Sequence, residues 1–252
     1  MDTLSGLPEA IPAATLILMR AGQSAPEILV MERAETMAFA AGALVFPGGR
    51  IEPQDEALAA TEEVDDAAAR IAAIRETIEE TGVAAGLLPQ PDQELSAAIR
   101  ADLASGIPFA DTLAEHGLSL DLDALTPFAR WCPNFRKTRR FDTLFYVAEA
   151  PSGAHPASAD ETEAVRAFWL SASDVLASVE AGGAHVIFPT RRNLERVARF
   201  ASVDEARADA ERHPVTKITP WIEQREEKKW VCIPEGLGYP VTAELLETAR
   251  RS

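Results

Sequence analysis

The chain has 252 residues, of which 47% are hydrophobic, and this composition excludes a disordered protein. The length can enclose a sizeable core and suits one enlarged domain. Its 40 acidic and 24 basic residues give a formal net charge of −16, which argues against nucleic acid as a partner. An anionic substrate would therefore need a local positive patch or metal ions. Cys132 and Cys232 are far apart without a CxxC pattern, so we expect neither a disulfide framework nor a zinc site.

Targeting signals are not visible in the sequence. The N-terminus lacks a basic stretch followed by a long apolar run, so we expect no signal peptide. No segment reaches about 18 uninterrupted apolar residues, so we expect no membrane partner. The last residues do not form a peroxisomal tripeptide. A reducing, cytoplasmic location is the expectation that follows.

The first part of the chain predicts strands that lead into a glycine turn. Residues 13–19 and 27–32 have the pattern of two strands joined by turn residues, as in a hairpin. Residues 43–46 predict a short buried strand, and Pro47-Gly48-Gly49 ends it in a turn that only glycines enter freely. Residues 56–69 are rich in Ala, Glu and Asp, and they either extend the following helix or add a short one before it.

Three carboxylates cluster on one side of the next predicted helix. Glu76, Glu79 and Glu80 lie at spacings of three and four residues, which place side chains next to each other. Such carboxylates repel one another and need a cation, and Mg²⁺ or Mn²⁺ with oxygen ligands supplies it. Arg75 is close enough to pair with Glu79 and fix its orientation. The opposite side is an apolar stripe of Ala67, Ile71, Ile74 and Ile78.

The strand, the glycine turn and the acidic helix, which Gly82 closes as a helix stop, resemble the Nudix box of Nudix hydrolases. The family pattern is Gly, five residues, Glu, seven residues, then Arg-Glu-aliphatic-x-Glu-Glu-x-Gly-aliphatic. Gly49 supplies the first Gly. The second half is matched in register by Arg75, Glu76, Glu79, Glu80, Gly82 and Val83. The alternative for the glutamates is a solvated helix face, which does not explain the glycine turn upstream.

The box departs from the family pattern in three places. Asp55 stands at the early Glu position, where either a ligand or an orienting role is open. Residues 56–74 stand where the family usually has seven residues, and Thr77 takes a slot that is usually aliphatic. A box split in this way resembles the coenzyme A diphosphatase branch. The resemblance makes coenzyme A or an acyl-coenzyme A the leading substrate, followed by ADP-ribose and ADP-sugars.

The later part of the chain predicts further strands and helices. Residues 92–130 predict an all-helical insertion, which would serve as a lid or as a homodimer contact. Strand patterns return at residues 141–148 and 165–170. Ser173 is predicted to cap the helix that begins at Asp174, and Thr190 to cap another helix.

These elements predict a single domain over residues 1–252. Strands with helices on both faces of a mixed sheet give an α/β/α sandwich of the Nudix type. The core covers about residues 12–90 and 139–200, with a helical insertion at about 92–130 and a C-terminal extension at about 201–252. The extension is predicted to contain a helix over residues 204–213, followed by irregular or strand structure.

The resemblance implies a set of site residues for cleavage of a small nucleotide-diphosphate substrate. Glu76, Glu79, Glu80 and the backbone carbonyl of Gly48 would bind the metal, and Arg75 would act with them. Gly49, Asp55 and Gly82 would shape the box. The base would be Glu76, or Glu161 or Glu163 from a later loop, although a solvated loop is the alternative for those two.

Basic residues just before the strand at 141–148 are candidates for substrate binding. Arg136, Arg139 and Arg140 would receive the second phosphate or a 3′-phosphate, with a charged strand entry as the alternative. Arg33 is a further candidate for the same role. Trp131 and Trp169 could stack on an adenine base, but large aromatics at strand ends are more often part of a core.

A Nudix domain that binds a nucleotide without hydrolysing it is the rival function. The three intact glutamates and the lack of an appended DNA-binding helix pair disfavour that regulator.

Overall fold

A computed structural model of the chain describes residues 8–33, 42–134, 140–156 and 164–249. Its strands are β1 (Ala10–Arg20), β2 (Glu27–Arg33), β3 (Leu44–Val45), β4 (Gly48–Arg50), β5 (Leu87–Leu88), β6 (Ser119–Leu120), β7 (Thr126–Trp131), β8 (Arg140–Glu149), β9 (Ala164–Ser171), β10 (Lys217–Ile218), β11 (Trp221–Arg225), β12 (Lys228–Cys232) and β13 (Ala243–Leu245). Its α-helices are α1 (Pro53–Ala59), α2 (Ala67–Thr81), α3 (Gln93–Ala104), α4 (Phe109–Glu115), α5 (Ala172–Glu180), α6 (Phe188–Val197), α7 (Val203–Arg212) and α8 (Leu246–Ala249). Within these residues, no helix has both the length and the apolar character that crossing a bilayer requires.

A mixed sheet forms the centre of the structure, and its strands follow the order β10-β7-β8-β1-β2-β3. β1 runs parallel to β8, from Ala10 opposite Arg140 to Met19 opposite Glu149. The other edge of β1 is shared, because β4 pairs with residues 13–15 and β2 pairs with residues 19–20. This shared edge places the two glycines of β4 beside a central strand.

Helices cover both faces of the sheet. One face carries α2, with α3 and α4 packed beside it, and its core includes Ile74, Ile99 and Phe109. The opposite face carries α5, α6 and α7, and its core includes Val175 and Leu194. We call the first the α2 face of the sheet. This layered arrangement confirms the predicted α/β/α sandwich with a mixed sheet.

Most of the predicted strands and helices form where the apolar patterns place them. β1 and β2 are antiparallel neighbours, with Met19 opposite Ile28, as the predicted hairpin requires. α1 ends at Ala59 and α2 begins at Ala67, so the insertion adds a separate short helix rather than extending α2. The stripe of Ala67, Ile71, Ile74 and Ile78 is buried in the core as predicted.

The prediction of an all-helical segment over residues 92–130 is wrong for its second half. α4 ends at Glu115, and β7 occupies Thr126–Trp131 in the central sheet, paired with β8. Phe128 and Trp131 are buried in the core on the α5–α7 side. Burial of these aromatic side chains in the core stabilises a strand here, and this stabilisation outweighs the helical periodicity of the preceding residues.

Two predicted helix caps are wrong by two or three residues. The cap of α5 is Ser171, whose hydroxyl accepts a hydrogen bond from the Asp174 N–H, and Ser173 lies inside the helix. α6 begins at Phe188 after Ile187, and Thr190 is a buried residue of its first turn. Pro189 accounts for the early start, because proline suits the first turn of a helix.

Candidate active site

The glycines after β3 form an extended strand rather than the predicted turn. Gly48 to Arg50 make up β4, which pairs with β1 through Thr15 opposite Gly48 and Ala14 opposite Gly49. Gly48 has a φ of +152°, and a Cβ there would lie 2.7 Å from the Thr15 Cα. Only glycine fits this backbone at this distance from its neighbour.

Two glutamates of α2 contact this glycine strand directly. The Glu80 carboxylate accepts a hydrogen bond of 2.8 Å from the backbone N–H of Gly48. The Glu76 carboxylate lies against Gly49 so closely that a Cβ on Gly49 would overlap it. The acidic side of α2 therefore points at the glycine strand, as the sequence predicted.

Arg75 joins the acidic side of α2 to Asp55 in α1. Its Nε and Nη2 atoms each lie 2.9 Å from one carboxylate oxygen of Asp55, in a bidentate pair that is almost fully buried. Its Nη1 atom donates to Glu76 at 3.0 Å and to Glu79 at 3.1 Å. The predicted pairing of Arg75 with Glu79 is thus confirmed. One guanidinium links three carboxylates and sets the orientation of two α2 glutamates.

Asp55 has an orienting role in this arrangement. Its side chain is buried, and besides pairing with Arg75 it accepts a hydrogen bond of 2.8 Å from the Glu52 N–H at the start of α1. Both carboxylate oxygens are therefore occupied by protein donors. Of the two roles left open by the sequence, orientation is the one that the geometry favours.

Burial and charge oppose each other at Glu76. Burial raises the pKa of Glu76 from near 4.5 to about 7, and the charges of Glu79 and Glu52 act in the same direction, against the attraction of Arg75. For Arg75, the hydrogen bonds to Asp55 and the surrounding carboxylates outweigh burial and raise its pKa above the ordinary range. The site thus holds more negative charge than Arg75 compensates.

Comparison with known structures agrees with the fold. The chain is similar to the crystal structure of a NUDIX hydrolase from Alicyclobacillus acidocaldarius, with 29% sequence identity and a TM-score of 0.69. The match covers 79% of this chain and 96% of that one. By fold and by motif, the chain resembles Nudix hydrolases.

Weaker likenesses extend to other Nudix structures, and no protein-family model matches the chain. The NUDIX domain of Shewanella oneidensis NrtR, crystallised with ADP ribose, has 14% identity and a TM-score of 0.45, over 77% of this chain and 90% of that one. An Ap4A hydrolase from C. elegans has 14% identity and a TM-score of 0.39, over 79% of this chain and 93% of that one.

The end of the Nudix box is built as predicted. Gly82 ends α2 with a φ of +71°, and its N–H donates to the Ile78 carbonyl at 2.8 Å. Thr77 fills the slot that is usually aliphatic, and it is buried with its hydroxyl donating to the Ala73 carbonyl at 2.7 Å. The hydroxyl is satisfied within the helix, so the exception leaves the acidic side of α2 intact.

The carboxylates of Glu76, Glu79 and Glu80 have the chemistry to bind a hard divalent ion, but they do not form a closed coordination shell. In the described residues, no three His, Cys, Asp or Glu side chains are arranged as a ready metal site. Arg75 draws Glu76 and Glu79 together, and the Gly48 N–H holds Glu80. The excess negative charge around Glu76 nevertheless fits a divalent cation, because oxygen donors of this kind are the ones that Mg²⁺ and Mn²⁺ prefer.

The predicted substrate-binding residues fall into two groups. Arg33 and Arg140 are half-buried at the ends of β2 and β8 toward the glycine strand, and each has a buried Nε atom without a hydrogen-bond partner in the described structure. Four other candidates lie outside the described residues, namely Arg136, Arg139, Glu161 and Glu163. The roles of these four remain predictions.

The two tryptophans differ in their surroundings. Trp131 is buried, and its indole N–H donates to the Tyr239 hydroxyl at 3.0 Å, as a core residue would. The ring of Trp169 is covered by the Arg20 guanidinium, 4.4 Å from its centroid. Trp131 therefore fits the alternative of a core residue, and Arg20 occupies one face of Trp169.

The sequence did not predict two residues that lie next to the glutamates of α2. Glu52 precedes α1, and its charge contributes to the raised pKa of Glu76. Arg100 of α3 donates from its Nε to the Glu79 carbonyl at 2.9 Å, which ties α3 to the end of α2. Glu52 is only three residues after Gly49, and this closeness in the chain could have indicated its place near the site. Nothing in the sequence indicated the contact of Arg100 with Glu79.

Proposed function

We propose that the protein is a metal-dependent Nudix hydrolase that cleaves the diphosphate bond of a nucleoside diphosphate joined to another group. The observation that carries this proposal is the contact between the acidic side of α2 and the glycine strand. Glu76 lies against Gly49, and Glu80 accepts a hydrogen bond from Gly48. The two parts of the split box therefore meet in space despite the insertion between them.

Glu76, Glu79 and Glu80, with the Gly48 carbonyl, would hold one or more Mg²⁺ or Mn²⁺ ions. When bound, such ions neutralise phosphate oxygens and lower the pKa of a coordinated water. The protein's own contribution is orientation. Arg75, itself fixed by Asp55, holds Glu76 and Glu79 on the same side of α2.

The proton of the attacking water would pass to a glutamate. Glu76 lies within the site, and Glu161 and Glu163, which precede β9 in the sequence, are the alternatives. A group that takes this proton must come within hydrogen-bond reach of the water in the substrate complex. Replacing each of the three by Gln and comparing pH–rate profiles distinguishes them.

Coenzyme A or an acyl-coenzyme A is the proposed substrate, because the insertion within the box resembles the coenzyme A diphosphatase branch. The products would be a phosphopantetheine and an adenosine bisphosphate. Arg33 and Arg140 supply positive charge at the ends of β2 and β8, which would receive phosphate groups in an otherwise acidic protein. The expected partner is thus a small molecule. The expected cytoplasmic location is consistent with this reaction.

A turnover panel tests the proposal. The protein is incubated with Mg²⁺ or Mn²⁺ and with coenzyme A, an acyl-coenzyme A, ADP-ribose, NADH or nucleoside triphosphates, and the products are followed by mass. We expect cleavage of the diphosphate bond, with coenzyme A or its acyl derivative as the best substrate. EDTA is expected to abolish the activity.

The Glu79→Gln/Glu80→Gln double variant is the matched control, because it keeps the size of both side chains and removes both charges. If every panel member turns over no faster with the wild-type protein than with this variant, the hydrolase proposal is wrong. If ADP-ribose is the best substrate instead, the coenzyme A assignment is wrong and the diphosphatase activity stands.

A further inference from the structure

Two cations lie at the far end of a row of residues that begins at the Nudix glycine. Across the sheet, Gly49 pairs with Ala14, Ala14 with Leu144, Leu144 with Arg130, and Arg130 with Lys217. Directly paired residues point to the same face of a sheet. Arg130 and Lys217 are therefore on the α2 face, the face on which Glu76 lies against Gly49.

Arg130 and Lys217 share a single carboxylate. The Nε and Nη2 atoms of Arg130 lie 2.7 and 2.9 Å from the two oxygens of Asp142, and the Lys217 ammonium lies 2.7 Å from one of them. Although burial acts in the opposite direction, these hydrogen bonds lower the pKa of Asp142, so this carboxyl stays ionised. Two positive charges and one negative charge leave a net positive cluster in a protein of net charge −16.

Both cations are open to solvent. The side chains of Arg130 and Lys217 are 41% and 47% exposed, whereas Asp142 between them is 11% exposed. Asp142 occupies the Nε edge of Arg130, so the Nη1 group lies outside that pair. Arg140, two residues before Asp142 on the same face of β8, adds a further guanidinium, whose buried Nε atom has no hydrogen-bond partner among the described residues.

We propose that Arg130 and Lys217, oriented by Asp142, form a second anion subsite for a phosphomonoester that the substrate carries away from its scissile diphosphate. Three strand spacings separate the Cα atoms of Gly49 and Arg130, which is about 14 Å. A diphosphate alone is too short to reach both ends of the row. A nucleoside that bears its own phosphate can span the distance once the reach of the two cationic side chains is counted.

This inference rests on the proposed diphosphatase function, which it makes more specific. It predicts that a phosphate on the sugar of the substrate raises the catalytic efficiency, and it places the recognition of that phosphate in β7 and β10. A purely structural role, in which Arg130 and Lys217 only tie β7, β8 and β10 together, predicts no such preference.

The first test compares coenzyme A with 3′-dephospho-coenzyme A, which differ only in that phosphate. We expect the wild-type protein to have a higher kcat/KM for coenzyme A, chiefly through a lower KM. We expect Lys217→Gln and Arg130→Gln each to reduce the ratio of the two efficiencies about tenfold, the effect of one charge-assisted hydrogen bond. The control, Lys229→Gln, removes an exposed lysine from β12 in the separate three-stranded sheet and is expected to leave the ratio unchanged.

The second test measures binding without turnover, so that it is independent of the hydrolase proposal. Adenosine 3′,5′-bisphosphate and AMP are titrated into the wild-type protein and into both variants by calorimetry. We expect the bisphosphate to bind more tightly to the wild type, and the variants to lose this difference. Thermal unfolding of each variant verifies that the fold is retained.

The two failures can be told apart. A bisphosphate preference that the variants lose, in a protein that hydrolyses nothing, supports the subsite and refutes the hydrolase. If the wild type hydrolyses and binds its ligands equally well with and without the 3′-phosphate, the subsite proposal is wrong. A preference that both variants retain also overturns it, because the phosphate is then recognised elsewhere.

Discussion

The guanidinium of Arg75 and the carboxylate of Asp55 form a buried bidentate pair across the insertion that splits the box. The residues are 20 positions apart in the chain, yet both nitrogen–oxygen distances are 2.9 Å. The insertion is accommodated as α1 and the connection to α2, and Asp55 in the first turn of α1 still reaches Arg75. The pair therefore fixes Arg75, and through it Glu76 and Glu79, despite the insertion.

Loss of this pair should be costly to stability. We expect Asp55→Asn to lower the free energy of unfolding by about 3–5 kcal/mol, because it leaves the buried Arg75 guanidinium without its main counter-charge. Hydrolysis should fall as well, since Glu76 and Glu79 lose their fixed partner. Urea unfolding followed by circular dichroism measures the first effect. The exposed Asp65→Asn serves as the control, and an equal loss in both variants would contradict a special role for Asp55.

The space at Gly49 is reserved for the Glu76 carboxylate. We expect Gly49→Ala to lower kcat at least about tenfold, because the added methyl group displaces a proposed metal ligand. The backbone of Gly49 does not have a positive φ, so the loss should exceed any effect on the unfolding temperature. Gly183→Ala, where a Cβ meets only the flexible Ser178 side chain and its carbonyl, is the matched control. Full activity of Gly49→Ala would show that Glu76 is not needed at this position.

The raised pKa of Glu76 predicts a pH-dependent stability in metal-free buffer. The folded protein keeps the Glu76 proton up to about pH 7, whereas the unfolded chain releases it near 4.5. Stability therefore falls as the pH rises through that window. Glu76→Gln removes the ionisation, so the variant should be more stable than the wild type at pH 8, by up to about 3 kcal/mol.

The difference between the two proteins should shrink steadily as the pH falls toward 5. Urea unfolding in EDTA at several pH values measures it, with the exposed Glu56→Gln as the control. A difference that does not change with pH would mean that Glu76 is not the group that titrates.

The C-terminal part of the chain is held by a buried ion pair. Arg192 of α6 is almost fully buried and lies 3.0 Å from the carboxylate of Glu244 in β13. We expect Glu244→Ala to lower the free energy of unfolding by about 3 kcal/mol, because Arg192 then lacks one of its two carboxylate partners in the interior. The neighbouring Glu247→Ala is exposed and should change it by less than about 0.5 kcal/mol. Equal unfolding midpoints for the two variants would contradict this role for Arg192.

The corrected helix cap gives a direct test of the start of α5. We expect Ser171→Ala to lower the free energy of unfolding by about 1 kcal/mol, because the Asp174 N–H loses its acceptor. Ser173→Ala, at the position that the sequence predicted, should have almost no effect. The reverse order of the two effects would restore Ser173 as the cap.

The sequence predicted the parts of the fold that depend on local patterns. The apolar runs of β1, β2, β8 and β9 and the stripe on α2 are readable because each repeats with the period of its own element. Gly82 was readable as a helix stop for a similar reason, since its positive φ is a local property. The placement of Glu76, Glu79 and Glu80 on one side of α2 followed from their spacing, whereas their orientation toward the glycine strand was implied by the resemblance to the Nudix box.

The contacts that join distant segments were not predictable from one sequence. β7 was missed because the helical pattern before it offers no sign of where the sheet resumes. The clustering of Arg130 and Lys217 on Asp142 depends on the register of β7 and β10, which arises only when the sheet assembles. Ser171 and Ser173 are both suitable caps by composition, and the end of β9 decides between them.

Binding of Mn²⁺ to the purified, metal-free protein tests the central claim most directly. Electron paramagnetic resonance titration measures the free Mn²⁺ in the presence of the wild-type protein and of Glu79→Gln/Glu80→Gln. We expect saturable binding by the wild type and binding weakened by about tenfold or more in the variant. Equal binding by the two proteins, or none by the wild type, would contradict the assignment of these glutamates as the metal site.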